Sequence, residues 1–131
     1  MLNRRQLIAA LFGAFVILPG ADFAVAQEVL GKGSLTGQSG HKTSGSVSMV
    51  KTAAGIEVHL GDDFKFDGAP GPWLAFGKGG AFDRATQFSK LNKNTGAQTY
   101  KVPASIDVSK YDEFYVWCRP FNVSLGVAKL N

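Results

Sequence analysis

The sequence predicts an all-β protein, an antiparallel β-sandwich or squat barrel of about seven short strands. Apolar and polar residues alternate through several short segments, which is the period of a strand with one buried face. Turn signals rich in glycine separate these segments, and the chain contains 16 glycines. Helical spacing of apolar residues is scarce, so strands account for most of the predicted structure.

The first three predicted strands lie before residue 61. Residues 29–36 form the first, which contains two glycines. Residues 43–51 alternate serine with valine and methionine, so that one face is buried. Residues 56–60 alternate in the same way after a turn at residues 53–55. Two alternating segments joined by a short glycine-containing turn predict a β-hairpin.

The middle of the chain begins with a loop and contains the best candidate for a helix. Residues 61–72 are polar and rich in glycine and proline, which is typical of a loop. Residues 73–77 form a short apolar strand. Residues 82–91 carry apolar side chains at three-residue spacing, which predicts a short helix or a helical turn.

Three further strands are predicted in the last part of the chain. Residues 98–102 form a strand that ends at Pro103. Residues 106–111 form a connection that contains one helical turn. Residues 114–119 and 122–130 are the last two strands, and the proline between them suits a bend or an edge, where the missing backbone donor costs least.

The first 26 residues predict an export signal that is cleaved from the chain. Arg4 and Arg5 give a positive start, residues 7–18 are apolar, and residues 24–26 form a small-x-small cleavage site. The apolar run is shorter than the roughly 20 residues of a membrane span. Residues 27–131 are therefore expected to form one exported domain, periplasmic or secreted, with no stable span after cleavage. The paired arginines leave both the ordinary and the twin-arginine routes open.

Composition argues against several classes of function. The formal net charge is +4, but the lysines are spread singly, whereas a nucleic-acid surface needs a basic stripe. We expect no nucleic-acid partner. The chain has no hydrolase or transferase motif, so a conventional enzyme is not expected. The composition leaves the oligomeric state open.

Cys118 is the chain's only cysteine, which excludes an internal disulfide. In a strand, Cys118 shares a face with Phe114 and Val116, while Tyr115 and Trp117 lie on the other. The apolar companions suggest that Cys118 points into the core, where a thiol is inert packing. Both faces are rich in apolar residues, however. If the Tyr115 and Trp117 face is inside, the thiol points outward and can react.

A bound cofactor is one hypothesis for Cys118, and the absence of any cofactor is the other. Haem could be held by Cys118, His41, His59 or Met49. His41, in a Gly/Ser loop, is the best of the added candidates, because alternation puts His59 on a polar face and Met49 on a core face. No histidine or methionine follows Cys118, which argues against blue copper. No metal site is predicted, since the acidic loop around Asp62 matches no strong calcium template.

Aromatic residues form the second candidate group. Tyr115 and Trp117 alternate on one face of their strand, and Trp73 and Tyr100 are candidates to lie near them. Such side chains can stack on a flat cofactor or relay an electron, but they more often pack a sandwich core. The sequence leaves these alternatives open.

Several ordered segments of the chain carry a resemblance to a known family. They are GHKTSGSV (residues 40–47), LGDDF (60–64), GPWL (71–74), GAQTY (96–100) with Pro103, VWC (116–118) and FNV (121–123). In this order they resemble the DM13 domain. The resemblance implies an exported or cell-surface all-β module that takes part in electron transfer. It also implies that Cys118 is the family's hallmark cysteine, acting as a naked thiol or with a prosthetic group such as haem.

The sequence therefore predicts electron transfer or thiol redox chemistry outside the cytoplasm, centred on Cys118. The electron donor and acceptor would be separate proteins that the chain does not identify. One alternative is a non-redox module that binds a ligand or a protein, with Cys118 as core packing. Another is an envelope protein in which Cys118 bridges two chains. The redox hypothesis requires that a cofactor, a partner or solvent can reach the sulfur.

Overall fold

In a computed structural model, the protein is described over residues 27–131. The predicted export signal, residues 1–26, lies outside the described residues. No helix in the described range is long and apolar enough to cross a membrane. Two antiparallel sheets pack face to face around a single core, which confirms the predicted sandwich.

Six of the seven predicted strands are present within one or two residues of their expected bounds, and the strand predicted at residues 43–51 is divided at Gly45 into two. Five of the twelve observed strands contain only two residues, which is too short for alternation to reveal. The strands are β1 (Glu28–Ser34), β2 (Thr36–Gly37), β3 (Thr43–Ser44), β4 (Ser46–Thr52), β5 (Gly55–Leu60), β6 (Lys65–Phe66), β7 (Pro72–Lys78), β8 (Ala81–Phe82), β9 (Ser89–Lys90), β10 (Gln98–Lys101), β11 (Glu113–Cys118) and β12 (Val123–Lys129).

The first sheet has the strand order β1-β4-β5-β10. Its centre is the predicted hairpin, in which β4 and β5 pair from Val47 opposite Leu60 to Thr52 opposite Gly55. Gly55 has a φ of 128°, a left-handed conformation that glycine adopts without strain. Apolar side chains of both strands belong to the core between the sheets, namely Val47 and Met49 of β4 and Val58 and Leu60 of β5. Val50 is also buried, but alternation places it on the other face of β4.

The second sheet has the order β2-β12-β11-β7-β8, with β9 also pairing to β7. β11 lies between β12 and β7, so it is a central strand with neighbours on both sides. The short β3 and β6 form a separate ribbon beside the sandwich. The central position of β11 explains why its residues are among the most deeply buried of the described chain.

The two sheets join along one side. The chain leaves β1 in the first sheet and enters β2 in the second through the buried Leu35. Lys32 of β1 and Asn131 exchange two backbone hydrogen bonds, of 3.2 and 3.0 Å, which tie the end of the chain to β1. A strand that switches sheets in this way makes a closed corner of a sandwich.

The predicted helical segment at residues 82–91 contains only one turn of 3-10 helix, Arg84–Thr86. The Thr86 hydroxyl accepts a hydrogen bond from the backbone N–H of Phe76 at 2.8 Å, and β8 and β9 on either side pair with β7. The segment therefore forms hydrogen bonds along the edge of β7, and it cannot also form a longer helix. The helical turn predicted within residues 106–111 is present as Val108–Lys110.

Candidate functional site

Cys118 is the last residue of β11, paired with Pro72 of β7 and Val123 of β12. The residue is only 2 % exposed and belongs to the core cluster. Its side chain shares the inner face with Phe114 and Val116, as their apolar character suggested. The structure thus decides the question that the sequence left open, and it places the thiol inside.

A thin layer of backbone covers the thiol. The Cys118 Sγ lies 3.2 Å from the carbonyl oxygen of Pro70, to which it donates a hydrogen bond. Pro70 and Gly71 are exposed to solvent. The N–H of Arg119 donates to the carbonyl of Gly71 at 3.1 Å, which holds this loop against the end of β11. We call residues 68–71 the cover loop. Only the backbone of the cover loop therefore separates the sulfur from solvent on this side.

The aromatic side chains on the outer face of β11 form a compact cluster. The rings of Trp117 and Phe82 stack with centroids 3.5 Å apart and planes 1° apart. Tyr115 meets Trp117 edge to face at 6.0 Å. Tyr115 is 4 % exposed and Trp117 is half-buried. The sequence did not identify Phe82, since the two-residue strand that delivers it carries no periodic signal.

Hydrogen bonds fix the orientation of the Trp117 indole. Its Nε1–H donates to Asn122 Oδ1 at 3.2 Å, and Arg84 Nη2 donates to the same oxygen at 3.1 Å. Asn122 has a φ of 55°, a left-handed conformation that asparagine tolerates better than most residues. Asn122 of the β11–β12 turn and Arg84 of the 3-10 helix Arg84–Thr86 thus fix the position of the Trp117 ring.

Tyr115 donates its phenolic hydrogen bond to a buried carboxylate. The acceptor is Glu113 Oε1 at 3.1 Å, on the same face of β11. Glu113 is 8 % exposed, and both of its oxygens accept from the Gly80 N–H, at 3.0 and 2.9 Å. Burial, followed by the Glu113 hydrogen bond, raises the pKa of Tyr115 to about 12. The phenol therefore keeps its proton at neutral pH.

Trp73 and Tyr100 are the other aromatic residues predicted to lie near Tyr115 and Trp117, and only Trp73 does. Trp73 pairs with Trp117 across β7 and β11, and the Arg119 guanidinium lies 3.8 Å above its ring. Tyr100, which we had grouped with them, lies in the first sheet instead. Its hydroxyl accepts from the Asn92 N–H at 2.9 Å and donates to Gln98. Tyr100 is therefore a core residue apart from this cluster.

His41, the best of the added haem-ligand candidates, is half-buried and paired with a carboxylate. Its Nδ1 lies 2.9 Å from Asp67 Oδ1, and the Lys42 N–H donates to Asp67 Oδ2 at 3.0 Å. These two contacts, the backbone one first, lower the pKa of Asp67. The His41 ring also lies 5.9 Å from that of Phe66. Asp67 directly precedes the cover loop, so the pair anchors one end of that loop.

The candidate haem ligands are not brought together. His59 faces outward and pairs with Glu57 at 2.9 Å. Met49 is buried beside Tyr111, at the end of the sandwich where β11 begins, whereas Cys118 ends that strand. Three clefts of ≈ 540, ≈ 380 and ≈ 280 Å³ are lined by residues other than Cys118. The described residues therefore do not fit a haem ligated by Cys118.

Residues 27–131 contain no group of three or more His, Cys, Asp or Glu side chains arranged to hold a metal ion. The acidic loop has other partners. Asp63 Oδ1 accepts from both the N–H and the hydroxyl of Ser46, at 2.9 Å each, and these bonds lower the pKa of Asp63. Its carboxylate thus fastens the loop to β4.

Comparison with known proteins identifies one family. The family model described as Electron transfer DM13 matches residues 34–130. No curated protein and no solved structure matches the chain. The matched range runs from the last residue of β1 to just beyond β12, and it contains Cys118, the aromatic cluster and the cover loop.

Proposed function

Because the chain belongs to the DM13 family of electron-transfer domains, we propose that it transfers electrons outside the cytoplasm with Cys118 as the redox centre. One observation carries the assignment of the centre. The chain's only thiol lies at the end of a central strand, with its sulfur against the carbonyl of an exposed loop residue, Pro70. The sulfur is thus close to the surface yet shielded from solvent.

The burial of Cys118 constrains the chemistry that it can perform. A single cysteine has no intrachain thiol partner, so its two-electron oxidation must begin with a bond from the sulfur to an atom of a second molecule. The closed cover loop blocks such a bond, including a bridge between two chains. An electron needs no open path for atoms, because it can pass through packed groups. In the closed state the thiol can give one electron to a partner protein while its proton passes along the hydrogen bond to the carbonyl of the exposed Pro70 and on to solvent, which leaves a neutral thiyl radical. Bond-forming chemistry requires the cover loop to open.

The proposed location rests on the N-terminal sequence and agrees with the state of the thiol. Residues 1–26 have the pattern of an export signal. Unprotected thiols outside the cytoplasm are oxidised or paired. A thiol held under the cover loop is shielded from exchange with other thiols and disulfides, since exchange depends on access to the sulfur. Burial thus lets a lone cysteine persist in an oxidising compartment.

A redox titration of the purified protein tests the assignment of the centre. We expect a reversible oxidation wave of the thiol in the wild type by protein-film voltammetry, and the loss of that wave in Cys118→Ser. Serine keeps a donor for the Pro70 carbonyl, so the fold should survive, and near-ultraviolet circular dichroism checks this. An identical response in both proteins, or none in either, would remove Cys118 as the centre. A visible spectrum of the same sample reports any bound chromophore.

Opening of the cover loop is tested by thiol labelling of the native protein. We expect Pro70→Gly to label about two- to fivefold faster than the wild type, because the added backbone freedom favours the open loop by ~0.4–1 kcal/mol. Pro103→Gly is the matched control, since Pro103 is also exposed but lies outside the cover loop. Equal acceleration by the two substitutions would mean that the thiol is reached only through global unfolding.

A non-redox binding module is the second candidate function. The burial of Cys118 favours it, because a thiol enclosed in this way also serves as simple packing. The outer face also offers a contact surface, where Arg119 covers Trp73 and Phe121 is 68 % exposed. Aromatic and arginine side chains are enriched at binding hot spots. A redox-silent wild type would leave this candidate in place.

A further inference from the structure

We propose that Trp117, Tyr115 and Glu113 form a proton-coupled relay for single electrons. The relay accepts an oxidising equivalent at Trp117 and holds it as a neutral radical on Tyr115, with Glu113 taking the phenolic proton. The proposal rests on the proposed electron-transfer function for its biological use. The relay residues lie on the outer face of β11, whereas Cys118, the proposed redox centre, lies on its inner face.

The rings are in contact from the surface inward. Trp117 is half-buried, so an oxidant can approach its ring from solvent. Tyr115 lies behind it, with centroids 6.0 Å apart, and Phe82 closes the third side at 3.5 Å from Trp117 and 5.9 Å from Tyr115. The hydrogen bond from the Trp117 indole to Asn122 keeps this geometry fixed. An electron therefore crosses from Tyr115 to Trp117 without any rearrangement of the fold.

Glu113 supplies what oxidation of a buried tyrosine requires. A phenol that loses an electron must also lose its proton, and a buried phenol has no water to receive it. Glu113 Oε1 already accepts the Tyr115 hydrogen bond at 3.1 Å. The Gly80 N–H binds both oxygens of that carboxylate and orients it. The proton therefore has a short, prepared path to its acceptor.

The two steps balance in electrons and protons. First, a one-electron outer-sphere oxidant takes an electron from Trp117, which becomes a radical cation, and the oxidant is reduced by one electron. Second, Tyr115 gives an electron to that cation and its phenolic proton to the Glu113 carboxylate. Trp117 returns to its neutral state, Tyr115 becomes a neutral radical, and Glu113 becomes a carboxylic acid.

The other two tyrosines of the chain lack this combination of neighbours. Tyr111 also donates to a carboxylate, that of Asp83, but its ring stacks on Phe76. Tyr100 donates to the amide oxygen of Gln98, which is a weak base. Tyr115 combines a contact with tryptophan, a carboxylate acceptor and burial.

Flash oxidation of the purified protein tests the relay. Photogenerated tris(bipyridine)ruthenium(III) is the one-electron oxidant, and transient absorption with freeze-quench electron paramagnetic resonance identifies the radicals. In the wild type we expect an indole radical that decays into a neutral tyrosyl radical. Tyr115→Phe should abolish the tyrosyl signal and prolong the indole radical. Glu113→Gln should slow tyrosyl formation about tenfold or more, since a positioned base contributes at least a factor of this size.

Three controls separate the relay from general packing and from Cys118. Tyr111→Phe should retain the tyrosyl signal, and Trp117→Phe should slow its formation. Cys118→Ser should leave the relay intact, so the redox role of Cys118 and the relay can fail independently. If Glu113→Gln does not fold, a solvent deuterium isotope effect on tyrosyl formation in the wild type tests the proton step. A tyrosyl signal that persists in Tyr115→Phe, or proton transfer insensitive to both Glu113→Gln and deuterium, would overturn the proposal.

Discussion

Replacement of Phe76 with alanine is expected to lower the free energy of unfolding by about 3–5 kcal/mol, the usual cost of truncating a buried phenylalanine. Phe76 lies on β7 and is 0 % exposed. Its ring contacts those of Phe88, Tyr111 and Phe114, at 5.4, 6.0 and 6.1 Å. Removal of the ring leaves a cavity that three rigid aromatic neighbours cannot easily fill.

The size of this effect is measured against the same substitution at the surface. Phe121 is 68 % exposed, so Phe121→Ala should change stability by less than about 0.5 kcal/mol. Urea denaturation of both variants gives the two free energies. Because small domains are stable by only about 5–15 kcal/mol, the core variant should be close to unfolding at ambient temperature. Similar losses at the two positions would contradict the placement of β7 in the core.

Replacement of Gly33 with alanine is expected to destabilise the protein by about 1–3 kcal/mol or more, as overpacking does. A Cβ atom at Gly33 would lie 2.0 Å from the carbonyl oxygen of Lys129. Real atoms cannot approach so closely, and a backbone oxygen cannot rotate away as a flexible side chain can. β1 and β12 would have to separate at the corner where the two sheets join.

Gly31→Ala is the control for this prediction, since it makes the same chemical change on the same strand. There the new Cβ would lie 3.2 Å from the Leu130 Cβ, so Leu130 would have to shift by only a few tenths of an ångström. We expect Gly31→Ala to retain most of the stability and Gly33→Ala to show a clearly lower melting temperature. If the two substitutions destabilise the protein equally, the cause would be the replacement of glycine on β1 as such, and not a clash at the corner.

β11 carries the side chains of both proposals, one set on each face. The inner face ends in the shielded thiol of Cys118, and the outer face carries the Tyr115 and Trp117 rings with the Glu113 carboxylate. Trp117 and Cys118 are consecutive residues, so one peptide unit separates the ring that meets solvent from the sulfur. The core that Phe76 and Gly33 maintain therefore also holds both candidate redox groups in place.

Local pattern was sufficient to predict the strands and the hairpin. A strand needs only a few alternating residues, and Ser46–Met49 of β4 and Ile56–Leu60 of β5 show that alternation. The segment at residues 82–91 shows the limit of this reasoning. Its apolar residues do recur every three positions. However, Thr86 and the flanking strands β8 and β9 form hydrogen bonds with the backbone of β7, and β7 lies outside this segment.

The contact partners of the site residues could not be predicted from local sequence pattern for the same reason. Asp67 is 26 residues from His41, and Gly80 is 33 residues from Glu113. Phe82 reaches Trp117 through a strand of two residues. Contacts of this kind depend on which strands become neighbours. No periodicity within a single segment records that choice.

The sequence by itself determined an all-β chain, the bounds of its main strands, a single thiol in the penultimate predicted strand and a resemblance to the DM13 family. Only the tertiary structure decided which face of β11 is the core, because both faces carry large apolar side chains and alternation cannot rank them. The first sheet covers the side with Phe114, Val116 and Cys118. The short β8 hairpin and its Phe82 cover only part of the other side. The difference in what packs against each face buries the sulfur and leaves Trp117 at the surface.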